Sequence, residues 1–378
     1  MCGICGALFV DTEGLRPALE ASLGNLRHRG PDDQGLHVEN DVALGMRRLA
    51  IIDVEGGRQP LWKEVGDVGT VFNGEIFNYR ELLDECRSRG HQLRTRADTE
   101  AIVHLYEDDP AGFVQRLRGM FAIAIFDRRR DRLLLVRDRF GKKPLYYTHT
   151  PSGGLLFASE LKALLPLMRA EGLRPEVDPQ GIYDFLSLGS VPQPATVYRG
   201  VLAVPPGSVL TADRNGTSLT RYWRPEFAPK FDGTYEQAQA EVRERIREAV
   251  RLRLRSDVPL GSFLSAGVDS NIVTFEAAQL AGEQLRTFTV ASDDPQLDES
   301  AVAKASATRL GVENTVLRLD VDPVRDLEFL VRAYDQPFAD PSAIPSLQVS
   351  KAAREHVKVV LNGDGGDELF GGYRRHVA

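Results

Sequence analysis

The chain has 378 residues, 42% of them hydrophobic, with three cysteines and a formal net charge of −7. That length exceeds what one hydrophobic core organises and predicts two domains, and the acidic balance argues against nucleic-acid binding, since clusters such as Arg128-Arg129-Arg130 are interleaved with acidic residues. With no apolar run of membrane-spanning length, no signal-peptide pattern and too few cysteines for a disulfide framework, a cytoplasmic protein is expected, without nucleic-acid or membrane partners.

The sequence opens Met1-Cys2-Gly3-Ile4-Cys5-Gly6. Once Met1 is removed, Cys2 carries both a thiol and a free α-amino group, with ordinary pKa values of about 8.5 and about 8 that let them exchange a proton near neutrality. This is the N-terminal-nucleophile form of acyl transfer, which needs no separate histidine or aspartate. The competing reading is a C-x-x-C redox or zinc pair. It lacks two further ligands, because Cys86 has no nearby cysteine or His-x-x-x-His partner, and Cys5 is read as a small apolar residue beside the first strand.

A helix follows from Leu15 to Leu26, then a His28-Arg29-Gly30-Pro31-Asp32-Asp33 turn and a strand through Leu44–Asp53 that carries Arg48. Asn73-Gly74, between apolar residues, fits a tight hairpin as well as a functional role, and Asp98 fits a helix N-cap. Four strand-like runs, Phe121–Phe126, Leu133–Arg137, Pro144–Thr148 and Leu155–Ala158, predict successive antiparallel hairpins. A proline-rich connection between about Val177 and Pro229 is read as the domain boundary. Next comes an amphipathic helix from Tyr235 to about Arg255, with Ala238, Val242, Ile246 and Ala249 on its apolar face. Strands near Gly261–Leu264, Thr287–Val290, Thr315–Leu319 and Lys358–Leu361 then alternate with helices, the pattern of a parallel sheet.

Two loops in that second half carry chemistry. Phe263-Leu264-Ser265-Ala266-Gly267-Val268-Asp269-Ser270 lies where a strand meets a helix, so backbone N–H groups can cradle an anion and Asp269 can hold Mg²⁺. Asn362-Gly363-Asp364-Gly365-Gly366-Asp367-Glu368 follows another strand of the same sheet, at the edge where open α/β folds bind ligands. Together they read as a cradle for ATP with Mg²⁺.

These motifs, with Asp138-Arg139-Phe140-Gly141-Lys142-Lys143-Pro144-Leu145-Tyr146-Tyr147 and Tyr334-Asp335-Gln336-Pro337-Phe338, resemble the glutamine-dependent asparagine synthetases, which are class II glutamine amidotransferases. The resemblance implies an α+β N-terminal-nucleophile glutaminase, an αββα sandwich, over residues 2–210. A linker over 211–233 leads to an α/β parallel-sheet PP-loop synthetase domain, adenine-nucleotide α-hydrolase-like, over 234–378. It further implies that Cys2 attacks the glutamine amide, with Asn73 and Gly74 as oxyanion donors, Arg48 for the carboxylate, Glu75 and Asp98 for the ammonium, and Ile51 at the same site. In the second half, Leu264, Ser265, Gly267, Asp269, Ser270, Val290, Asn362 and Gly363 would bind ATP. Asp269 and Asp367 would hold Mg²⁺, and Asp364 would act near the reacting centre where aspartate is activated as β-aspartyl-AMP. Ammonia would reach that centre through an internal tunnel.

Three departures from the family pattern stand out. Ala266 and Asn271 replace a glycine and a serine of the PP-loop, Asp364 replaces a glutamate, and the sequence stops at Ala378 where the family continues, so an incomplete synthetase half is expected. The alternatives are an asparagine-synthetase-like enzyme with another carboxylate acceptor, a glutaminase alone, or a C-x-x-C metal or redox protein. A homodimer is the expected assembly.

Overall fold

The computed structural model describes all residues except 283, 284, 293, 295, 297, 374, 375, 377 and 378. It divides into two compact units, Met1–Glu226 with Val331–Asp340, and Phe227–Leu330 with Pro341–Ala378.

In the first unit the elements run β1 (Gly3–Leu8), α1 (Arg16–Asn25), β2 (Asp33–Glu39), β3 (Val42–Arg48), β4 (Leu61–Trp62), β5 (Val68–Ile76), α2 (Tyr79–Ser88), α3 (Asp98–Asp108) and α4 (Phe113–Arg116). They continue with β6 (Gly119–Asp127), β7 (Arg132–Arg137), β8 (Tyr146–His149), β9 (Leu155–Ala158), α5 (Leu161–Ala170), α6 (Pro179–Leu188), β10 (Leu202–Ala203), β11 (Ser208–Asp213) and β12 (Gly216–Arg221). Two six-stranded sheets result, β10-β8-β9-β1-β3-β2 and β12-β11-β7-β6-β5-β4. All their pairings are antiparallel.

Period-two alternation divides the side chains of these strands between three layers. On β6, Phe121, Ile123 and Ile125 pack with Leu82, Leu83, Ala101, Ile102 and Tyr106 of α2 and α3. The intervening Ala122, Ala124 and Phe126 face the other sheet, meeting Ile4, Leu44, Met46 and Phe157. That sheet's outer residues Cys5, Ala7, Ala43 and Leu156 pack on Leu19 and Leu23 of α1 and Leu164 and Leu167 of α5. Helices, sheet, sheet and helices therefore form the αββα sandwich that the resemblance implies. The expected run of hairpins is interrupted once. β6 pairs with β7 and β8 with β9, but β7 and β8 lie in different sheets, so the turn between them crosses the core.

The second unit runs α7 (Tyr235–Arg253), β13 (Leu260–Phe263), α8 (Val268–Ala281), β14 (Arg286–Ala291), α9 (Ser300–Leu310), β15 (Glu313–Arg318), α10 (Pro323–Tyr334), α11 (Ala343–Ala353), β16 (Val359–Leu361) and α12 (Gly366–Phe370). α10 ends in the Val331–Asp340 segment of the first unit. The sheet order is β15-β14-β13-β16, all parallel. α7 starts with a capping box between Thr234 and Gln237. Its buried face is one position off the expected stripe: Ile246, Val250 and Leu254 join the core while Val242 stays exposed.

Val331–Asp340 lies against the first unit. Asp335 Oδ2 accepts from Lys162 N at 3.0 Å, and Lys162 Nζ reaches Asp335 Oδ1 at 3.1 Å. Gln336 Oε1 accepts from Val197 N at 3.3 Å, and Ala339 N donates to Gly189 O at 2.8 Å.

Candidate active site

Cys2 directly precedes β1, and the pairing of Gly3 with Arg47 sets it beside the end of β3. Its thiol donates to Leu49 O at 3.7 Å and accepts from Leu49 N–H at 3.4 Å. Burial pushes the thiol pKa up against the opposing effect of the Leu49 N–H, so Cys2 is protonated at neutral pH and needs a base. Burial also brings the N-terminal amine, which belongs to Met1 here, down to about 5. Cys5 is on the opposite face of β1, buried among α1 and α5, and burial raises its thiol to about 12. Cys2 packs against the core between the sheets and Cys5 in the layer beneath α1 and α5, so the two free thiols lie in different layers, which argues against the C-x-x-C reading.

Cys2 opens into a pocket lined by Met1, Arg48, Leu49, Ile51, Gly74, Glu75, Ala97, Asp98, Met120 and Lys143, among others. Six of the seven residues expected to handle glutamine, Cys2, Arg48, Ile51, Gly74, Glu75 and Asp98, thus line one cavity. The Arg48 guanidinium is fixed by three carbonyls, with Nη1 donating to Val54 O at 2.9 Å and Nη2 to Ile52 O at 3.0 Å and Asp53 O at 2.7 Å. These bonds use both Nη2 hydrogens and orient the charge without neutralising it.

Asn73 and Gly74 sit within β5, opposite Ala122 and Phe121, so the hairpin reading of this pair gives way to a mid-strand position. Both Phe121 backbone groups bond to Asp138, its N–H to the Oδ2 and its carbonyl to the N–H. Gly74 and Phe121 therefore form a non-bonded pair of the ladder, and the Gly74 N–H points to the other edge of β5. Along that edge the neighbouring N–H groups are taken by side chains, Phe72 N by Gln59 Oε1 at 2.7 Å and Ile76 N by Asp98 Oδ2 at 3.0 Å. A Cβ on Gly74 would lie 2.0 Å from Met120 O, so only glycine fits between β5 and β6 there. The Asn73 side chain is fully buried, and neither its Oδ1 nor its Nδ2 has a hydrogen-bond partner.

Asp98 is the first residue of α3 and not its cap; the N-cap position is Ala97, with no side-chain bond. Burial raises the Asp98 pKa to about 6, against the pull of the Ile76 N–H. Sequence reasoning assigned no role to three further groups. Arg29, in the turn after α1, donates from Nε to Cys2 O at 2.8 Å and from Nη1 to Glu160 Oε1 at 2.7 Å. Burial would raise Glu160, yet His28, Arg29 and Lys162 hold it down at about 2. Lys143 lines the pocket, and burial lowers its amine to about 8. The only sequence signals for them are the His28-Arg29 pair and the second lysine of Lys142-Lys143, which by themselves mark no more than a turn and a motif.

In the second unit the order β14-β13-β16 places the sheet's reversal between β13 and β16, and both glycine-rich loops leave there, at the strands' C-terminal ends. The Ser265 and Ser270 hydroxyls are 2.9 Å apart, and the Gly267 N–H donates to Ser265 Oγ at 3.0 Å. Leu264 is buried and donates to Phe288 O at 2.9 Å, while Val290 lies on β14. A Cβ on Gly363 would lie 2.9 Å from Asp269 Cβ, and one on Gly366 would lie 2.1 Å from Asp269 Oδ2. The second loop therefore packs on Asp269 through its glycines. Asn362 Nδ2 donates to Asp364 Oδ2 at 2.6 Å, and Asp367 is half-buried in the first turn of α12.

Ala266 does not have positive φ, so its Cβ imposes no backbone strain. Its N–H donates to Glu299 Oε2 at 2.9 Å, and Asn271 Nδ2 braces the loop through Ser265 O at 2.9 Å and Gly267 O at 2.8 Å.

Residues 1–223 match the glutamine amidotransferase domain family, and residues 241–378 match the asparagine synthase family. The chain is 38% identical to asparagine synthetase (glutamine-hydrolysing) 1 of Bacillus subtilis, over 99% of this chain and 59% of that protein. A putative asparagine synthetase (glutamine-hydrolysing) of Mycobacterium tuberculosis is also 38% identical, over 99% of this chain and 60% of its own length. A putative asparagine synthetase (glutamine-hydrolysing) 2 of Methanocaldococcus jannaschii is 32% identical, over the whole of this chain and 76% of its own. The chain thus spans about three-fifths of the first two relatives.

Proposed function

The chain belongs to the glutamine-hydrolysing asparagine synthetase family, and from that premise we propose that it hydrolyses glutamine at Cys2 and uses the ammonia, with ATP, to convert aspartate to asparagine. The observation that carries the first half is the buried, unbonded Asn73 amide on the strand that lines the Cys2 pocket. A buried polar group with no partner costs about 1–3 kcal/mol, which a ligand that bonds it would offset.

Glutamine's carboxylate pairs with Arg48, and its ammonium with Glu75 and Asp98. After removal of Met1, the amine of Cys2 takes its place in the same buried surroundings. Burial that keeps the Met1 amine neutral above about 5 would keep that amine ready to accept the thiol proton. The Cys2 thiolate attacks the side-chain amide carbon, and the oxyanion receives hydrogen bonds from Asn73 Nδ2 and the Gly74 N–H. The proton passes to the leaving nitrogen, ammonia departs, and water hydrolyses the thioester to glutamate and the free thiol.

In the second unit the donor set suits a nucleotide with a hard divalent cation. Asp269 and Asp367 offer oxygen ligands, and the glycines at 363 and 366 leave Asp269 no room for any larger neighbour. When bound, Mg²⁺ would neutralise phosphate charge as AMP is transferred to the aspartate side-chain carboxylate. Ser265, Gly267 and Ser270 orient the pyrophosphate, Leu264, Val290, Asn362 and Gly363 border the nucleotide, and Asp364 stands near the reacting centre. The three unpaired cysteines are consistent with a cytoplasmic location.

The deciding assay supplies glutamine, ATP and Mg²⁺ with and without aspartate. Aspartate-dependent AMP together with asparagine supports the full reaction, whereas glutamate without AMP restricts the chain to glutaminase activity or to another acceptor. Cys2→Ala should abolish glutamate release and spare ammonia-dependent synthesis; retained hydrolysis would refute the nucleophile.

A further inference from the structure

A second cluster of ligating side chains lies in the first unit, on residues outside the lining of the glutamine pocket. His104 and Glu107 project from α3, His91 from the connection between α2 and α3, and Glu64 from the turn between β4 and β5. One ligand atom from each falls within 4.8 Å of the others.

The hydrogen bonds on the far sides of the two imidazoles make this more than a cluster of charges. His104 Nε2 lies 3.2 Å from Glu100 Oε1, and His91 Nε2 lies 3.0 Å from Asp108 Oδ1. A carboxylate only accepts, so each Nε2 is the donor, and the tautomer these bonds select has its Nδ1 lone pair facing the cluster. Those two Nδ1 atoms face each other at 3.2 Å. Two lone pairs at that separation repel unless a cation lies between them. Glu107 Oε2 stands 3.6 Å from His91 Nδ1, and Glu64 Oε2 stands 3.9 Å from His104 Nδ1. The Glu64 oxygen is buried without a hydrogen-bond partner. Lys63 is occupied elsewhere, pairing with the other Glu107 oxygen, Oε1, and with Asp67 at 3.5 Å.

We propose that Glu64, His91, His104 and Glu107 form a four-ligand site for a divalent transition-metal ion of the zinc type. With Zn–N distances of about 2.0–2.1 Å, two nitrogen ligands of a tetrahedral zinc ion stand roughly 3.3 Å apart, close to the spacing of the two Nδ1 atoms. Imidazoles whose outer N–H is held by a carboxylate are the usual form of a protein metal ligand, because that bond fixes the tautomer and turns the basic nitrogen inward. Glu100 and Asp108 do this here. Two imidazoles and two carboxylates favour zinc, nickel or cobalt over magnesium or calcium. The ion would fasten the loop before α3 and the β4–β5 turn to α3, whose first residue, Asp98, lines the glutamine pocket.

The test uses the full chain carrying Cys2→Ala, so that the pocket thiol is not a ligand, stripped with chelator and titrated with Co²⁺ and then Zn²⁺. The expected result is one Co²⁺ per chain with the strong visible absorption of tetrahedral coordination, displaced by Zn²⁺, and a rise in melting temperature with Zn²⁺. Glu64→Gln, a change of one oxygen to an amide of the same shape, and His91→Gln should each weaken Zn²⁺ binding by about tenfold or more. Absence of saturable binding would overturn the proposal and leave a proton shared between the two Nδ1 atoms. Binding that both variants leave unchanged would overturn it equally, by placing the metal elsewhere.

Discussion

Asn73 and Asp98 are the two side chains whose surroundings make the sharpest demands. Removing an oxyanion donor slows acyl transfer by about 10²–10³-fold, so Asn73→Ala should lower kcat for glutamine hydrolysis by that factor with little change in KM. Because the amide makes no bond in the fold, the same variant should keep its cooperative melt. In the proposed reaction Asp98 is ionised when it pairs with the glutamine ammonium, and its pKa is raised to about 6. It therefore becomes neutral as pH falls through 6, where an ordinary aspartate would stay charged. The expected profile is a fall in kcat/KM for glutamine of about tenfold per pH unit below 6, a limb that disappears in Asp98→Asn. The family resemblance singled out both residues from the sequence. Arg29 and Glu160 were not legible there, because their roles rest on a contact between residues 131 apart in the chain, which no local pattern encodes.

At the level of elements, local propensity misled where the tertiary ladder decided the outcome. Asn-Gly favours a two-residue turn, yet here the pair is held in β5 by nine paired positions with β6, and glycine is needed for the close approach of Met120 O. Gly74→Ala should separate the strands at that point, losing glutaminase activity and about 1–3 kcal/mol of stability through overpacking, measured by denaturant unfolding. The alternating Phe121–Phe126 run was readable because period two assigns its faces, and the parallel sheet was readable from the alternation of strand and helix. The crossing of β7 to β8 between sheets was invisible, since hairpin and crossover turns share the same polar composition. In the loop between β13 and α8, Ala266 adopts a backbone that glycine would only loosen. Ala266→Gly should leave the KM for ATP within about threefold and cost about 0.5–1 kcal/mol from backbone entropy.

Across the whole molecule, the chain divides into two compact units, and the partition does not follow chain order. The segment Val331–Asp340, reached through α10 of the second unit, belongs by its packing to the first. Its conformation is specific: Asp335 takes a left-handed backbone, φ 68°, tolerated by aspartate better than by most residues, and presents its carboxylate to Lys162. Asp335→Ala should speed hydrogen exchange at the 331–340 amides and leave exchange in β6 unaffected. Nothing in composition or periodicity distinguishes this stretch from an ordinary loop after a helix, so it was legible only as a motif.

The docking of that segment bears on how the gene can be divided. A chain cut after Glu226 would omit ten residues that complete the folded surface of the half it was meant to isolate. The smallest faithful first unit is a discontinuous design, residues 1–226 joined by a synthetic tether to 331–340, and any shuffling of the two halves between relatives has three junctions to respect where a linear map shows one.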